Sequence, residues 1–140
     1  MAKQFLKIDS FGSEDFILIG IVCHFKDYRL CHHLNKALNI HLQRASDYEI
    51  IQTRRKQKLF FSFYKAELKE GEKYYLFANK TIGGMLLPEQ KSMDYFLMVK
   101  DYENRVNEEV ILASLKAIPL VLGAYVTDFT TLRSRENLIF

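Results

Sequence analysis

Leu59-Phe60-Phe61-Ser62-Phe63-Tyr64, followed by the turn Glu70-Gly71-Glu72 and then Tyr74-Tyr75-Leu76-Phe77-Ala78, decides the fold class. Both runs are rich in aromatic residues and bounded by turn formers, which favours extended chain over helix. They sit next to each other with no helical periodicity between them. The simplest pairing is an antiparallel hairpin with a loose loop.

Working outward, Phe16-Ile17-Leu18-Ile19-Gly20-Ile21-Val22-Cys23 is apolar at both alternating sets of positions and reads as a central strand. Tyr95-Phe96-Leu97-Met98-Val99 has the same character and belongs inside the sheet. Weaker strand patterns lie at Gln4–Ile8, Ile40–Arg44, Ser46–Ile51 and Leu120–Val126. Two segments show helical spacing. Asp27 caps the first, whose stripe is Leu30, Cys31, Leu34, Ala37 and Leu38, and Asn39 stops it. Asn104 or Asn107 caps the second. Its stripe is Val106, Val110, Ala113 and Ala117, widened by Ile111, Leu112 and Ile118, and Pro119 ends it. Strands bunched in the middle of the chain argue for an α+β fold. The expectation is a mostly antiparallel sheet of about six or seven strands with two helices packed on one face, residues 1–140 forming a single domain.

Composition narrows the function classes. The chain has 140 residues, 49% of them hydrophobic, enough for a real core. Its net charge of +3 is mild for a nucleic-acid partner. Cys23 and Cys31 show no CxxC spacing, which fits a reducing cytosol. The N-terminal residues lack the pattern of a signal peptide, and the longest apolar run is too short to span a membrane. A cytoplasmic location follows as the expectation.

Three constellations compete as sites. Cys23, His24, Cys31, His32 and His33 supply metal-ligand chemistry, but Cys31 falls on an apolar stripe. His32 and His33 are adjacent on a helix and diverge by about 100°. Ordinary core cysteines and surface histidines are the simpler reading, with no metal and no cofactor expected. Arg54, Arg55, Lys56 and Lys58 form a basic segment before the aromatic strand, a solvated turn that could instead attract RNA or an acidic carrier protein. No GxSxG, phosphate-binding loop, HExxH or GxGxxG occurs, so no catalytic residue is assigned.

The third constellation is Leu87-Pro88-Glu89-Gln90-Lys91-Ser92-Met93-Asp94-Tyr95. Pro88 pushes Leu87 into extended geometry, so that Leu87 can anchor in the core. Glu89 can accept loop N–H groups, and Asp94 can tie down a strand entry. Tyr95 buries a ring and needs a partner for its hydroxyl. A structural lock is the simpler reading. Acid–base chemistry by Glu89 and Asp94, or a divalent ion held between them, is the alternative, and the enzymatic reading requires both in one cleft.

At Leu87-Pro88-Glu89, three residues, then Met93-Asp94-Tyr95, the chain resembles the IPExxxVDY family of small Bacteroidetes proteins. Leu87 replaces Ile and Met93 replaces Val, and both positions stay apolar. The resemblance implies no activity, cofactor or catalytic residue, since the family has none assigned. Its members are often encoded near acyl carrier protein and a fatty-acid condensing enzyme, a context that implies cytoplasmic housekeeping. The expected function is therefore a small cytoplasmic accessory or interaction protein, not an enzyme. A homodimer is expected through exposed strands and the apolar tail Leu138-Ile139-Phe140, with a further protein partner possible, nucleic acid disfavoured and no membrane contact.

Overall fold

In a computed structural model, residues 16–52, 54–101 and 106–138 are described. Ten strands and two helices follow in order. They are β1 (Phe16–Val22), α1 (Asp27–Leu38), β2 (Gln43–Arg44), β3 (Tyr48–Gln52), β4 (Gln57–Phe61) and β5 (Phe63–Glu67). Then come β6 (Lys73–Ala78), β7 (Lys80–Thr81), β8 (Gly84–Met85), β9 (Tyr95–Lys100), α2 (Glu108–Lys116) and β10 (Gly123–Val126). The fold is α+β, as the bunched strands imply. Six strands form one sheet in the order β10-β1-β9-β6-β5-β2, with every pairing antiparallel. The strand expected at Gln4–Ile8 lies outside the described residues.

β1 and β9 occupy the middle of the sheet, where their two-sided apolar character is accommodated. Alternation sends Ile19, Ile21, Leu97, Val99, Tyr74 and Leu76 to one face, against Leu30, Cys31 and Leu34 of α1 and Ile111 and Leu115 of α2. Both helices thus cover the same face. Leu18, Phe63, Phe77, Phe96 and Met98 point to the other face. That face is covered by the β3–β4 hairpin, by the segment carrying Leu86, Leu87 and Met93, and by the tail residues Phe129, Leu132 and Leu138. Gly20 interrupts β1 for a packing reason. A Cβ there would stand 2.6 Å from Met93 Sδ and 3.2 Å from Phe96 Cε1. The glycine makes room for the methionine beneath it.

Several local expectations need correction. Leu59–Tyr64 is two strands broken at Ser62. β4 pairs with β3 in a separate sheet, while β5 joins β6 in the main one. The hairpin on β6 is therefore Phe63–Glu67, and Leu59 and Phe61 fold over the aromatic face. An aromatic run cannot reveal such a break because its residues suit both sheets. Asp27 is the first helical residue rather than the cap. Lys26 holds the cap position, and Asp27 accepts the Tyr28 N–H at 2.8 Å. Asn39 does stop the helix in left-handed geometry, at φ 55°. Asn107 caps α2, accepting the Glu109 and Val110 N–H groups. The α2 stripe is misassigned. Val110 is 61% exposed, and Ala113 and Ala117 are exposed as well. The buried face is Ile111, Leu115 and Ile118, at i, i+4 and i+7. Two apolar stripes compete on this helix, and bulk decides between them: Ile and Leu gain more from burial than Ala.

Candidate functional site

The segment from Leu87 to Tyr95 connects β8 to β9. Leu87 is fully buried, and Pro88 opens a 3-10 turn, Pro88–Gln90, that turns the chain back toward the sheet. The polar residue that holds this segment together is Asn79, one residue beyond β6 and completely buried. Its amide donates to Gln90 O at 2.9 Å and to Met93 O at 3.0 Å, and its carbonyl oxygen accepts the Leu87 N–H at 2.7 Å. Its own backbone N–H donates to Asp94 O, and its backbone oxygen accepts Leu86 N–H. All the side chain's hydrogens and its oxygen are thereby engaged. The sequence reading missed this residue. Its only signal is an amide placed directly after a buried aromatic strand.

Glu89 is exposed, yet its carboxylate grips the tail. It accepts the Ser134 N–H at 2.8 Å and the Ser134 hydroxyl at 2.6 Å. Burial works against its charge. Hydrogen bonds from Ser134, from its own N–H and from the Arg133 N–H outweigh that and hold the carboxyl below its ordinary range. Asn137 adds a bond from its amide to Leu86 O at 2.8 Å, and the Tyr48 hydroxyl donates to Asn137 O.

Asp94 faces a different set of partners. One oxygen accepts the Cys23 N–H at 3.0 Å, and the other meets Lys80 Nζ at 2.9 Å. The Asp94 N–H donates to Ile21 O. Asp94 therefore ties the entry of β9 to the end of β1. Tyr95 buries its ring against the helix-side core and donates its hydroxyl to Phe25 O at 2.8 Å. Burial, with Asp27 second, raises its pKa. Cys23, His24, Phe25, Ala78, Lys80, Asp94 and Tyr95 line a shallow cleft of about 330 Å³. Glu89 does not line it, so the two carboxylates do not share this cleft.

The remaining candidates disperse. Arg54, Arg55 and Lys56 form the exposed tip of the β3–β4 hairpin, with Lys56 at φ 50°. Lys58 lies on β4, 3.6 Å from Glu49 of β3. Cys23 and Cys31 are both buried, and burial raises both thiol pKa values. The Cys31 thiol donates to Leu42 O at 3.6 Å. His32 is exposed and His33 half-buried, with their rings edge to face. Among the described residues no three His, Cys, Asp or Glu side chains gather as a metal site, and no helix is long and apolar enough to cross a membrane.

No protein-family model and no curated protein matches this chain.

Proposed function

We propose that this chain is a small cytoplasmic accessory protein without catalytic activity, of the kind the IPExxxVDY resemblance implies, and that it works by association through the β10 edge. Two lines support the reading. The polar groups of the signature segment are turned inward on the fold: Asn79 on three backbone groups, Glu89 on Ser134 and Asp94 on Cys23. The second line carries the proposal. β10 ends the sheet, and among the described residues no strand pairs with its outer side. Around it Leu122, Tyr125 and Val126 are 64%, 54% and 45% exposed. An edge with apolar side chains and open backbone groups invites another strand.

The simplest occupant is β10 of a second copy, related by a two-fold axis and extending the sheet across both chains. Leu138 does not contribute, because it is buried in the aromatic core. Ile139 and Phe140 lie outside the described residues. Analytical ultracentrifugation from micromolar to several hundred micromolar protein tests this. A dimer that Val126→Lys converts to monomer, with thermal stability retained, is the expected result. A wild-type chain that stays monomeric throughout removes the proposal.

A further inference from the structure

On the sheet face away from the helices, aromatic residues give way to cations at one end. β5 presents Phe63, Lys65 and Glu67 there, β6 presents Phe77, Tyr75 and Lys73, and β9 presents Phe96, Met98 and Lys100. The hairpin and the tail cover the phenylalanine end. At the lysine end a cleft of about 470 Å³ opens, whose polar lining is His41, Gln43, Lys65, Glu67, Lys73 and Tyr75. We propose that this cleft binds a small phosphate-bearing ligand, with Lys65 and Lys73 as its charge-recognising residues.

The register supplies the first argument. Lys73 lies directly opposite Lys100, and Lys65 directly opposite Tyr75. Like charges facing each other across strands destabilise a sheet. Glu67, opposite Lys73, is the single acidic residue of the lining. Among the described residues neither Lys65 nor Lys73 forms an ion pair. Burial and the neighbouring Lys73 both lower the Lys100 pKa.

Shape and chemistry narrow the ligand. The cleft has the volume of a small-molecule site rather than of a long groove. Lysine ammonium groups suit phosphate as point charges, and His41 and Gln43 add hydrogen-bonding capacity at the rim. The Tyr75 ring is already packed by Phe63 at 5.7 Å and by Lys100 Nζ at 5.6 Å. That leaves little ring face for stacking the bases of a single strand.

The test is an amide-resolved NMR titration with inorganic pyrophosphate in low salt. Saturable shifts on β5 and β6 are expected, with affinity reduced at least about tenfold in K65Q/K73Q, as loss of two charge-assisted contacts demands. The hairpin-tip variant R54Q/R55Q/K56Q should bind as the wild type does. Should K65Q/K73Q fold poorly, Gln43→Glu, which sets a negative charge at the rim, must weaken binding instead. Shifts confined to the tip, unchanged affinity in the cleft variants, or no saturation by about 10 mM would each overturn the proposal. Tighter binding of a uridine oligonucleotide at the cleft would overturn it too, by reassigning the surface to nucleic acid.

Discussion

Replacing Asn79 with alanine probes the brace beneath the Leu87–Tyr95 segment. The substitution removes three side-chain hydrogen bonds of 2.7–3.0 Å. Gln90 O keeps the Met93 N–H as a partner. Leu87 N–H and Met93 O lose theirs, and both bonds lie in buried surroundings. A buried polar group left without a partner costs about 1–3 kcal/mol. The expected loss is therefore about 2–6 kcal/mol, toward the lower end if a water enters the vacated space. Domains of this size are stable by about 5–15 kcal/mol, so the variant should still fold. In urea unfolding followed by circular dichroism, with a slope of about 2 kcal/mol/M, the midpoint should fall by about 1–3 M at unchanged slope. Asn79→Asp keeps the acceptor for Leu87 but aims a carboxylate at two carbonyl oxygens. Burial and the two carbonyl oxygens raise the pKa of that carboxyl in the folded state. Its deficit relative to wild type should therefore be largest at neutral pH, shrink as the pH falls through the raised native value and level off near about 4, where the unfolded chain protonates as well. Asn137→Ala removes a single bond to Leu86 O and should cost about 1 kcal/mol. A change below about 0.5 kcal/mol for Asn79→Ala would refute the bracing role.

Other substitutions read separate parts of the same lock. Glu89→Gln keeps the shape and loses the charge that Ser134 holds, at a cost below about 1 kcal/mol because the site is exposed. Since the native carboxyl titrates below its ordinary range, wild-type Glu89 stabilises the fold above that range; the gap between the two proteins should close as the pH falls through the native value, and a gap that widens in acid contradicts the assignment. Gly20→Ala drives a Cβ into Met93 and should cost about 1–3 kcal/mol. A double-mutant cycle with Met93→Ala should show positive coupling, and strict additivity would mean that the two residues do not interact. Cys23 and Cys31, buried and with raised pKa values, should react with a thiol reagent only when the protein opens; rapid native labelling would disprove their inertness.

The elements legible from sequence were those whose local and tertiary signals agree. Phe16–Val22 and Tyr95–Lys100 are apolar on both faces and lie in mid-sheet. Asn39 and Asn107 end and begin helices by chemistry that local sequence reveals. Features that depend on distant partners stayed hidden. The break at Ser62 exists because β4 and β5 answer to different sheets. The buried face of α2 depends on which stripe meets the sheet. In the Leu87–Tyr95 segment, Leu87, Asp94 and Tyr95 could be read as anchor, tie and buried ring. Asn79, Ser134 and Cys23 could not, since each meets the segment from elsewhere in the chain, Ser134 from 45 residues past Glu89.

That separation has a consequence during synthesis. The tail that supplies Phe129, Leu132, Ser134 and Leu138 to the aromatic face is translated after every strand of the sheet. At roughly 5–20 residues per second, Glu89 waits about 2–9 seconds for Ser134 to leave the ribosome. Late in that interval, once β10 has been translated, all the strands of the sheet are made while the aromatic face still lacks the cover that the tail supplies. The nascent chain is therefore most exposed to aggregation, and to chaperone capture, between translation of β10 and translation of Leu138.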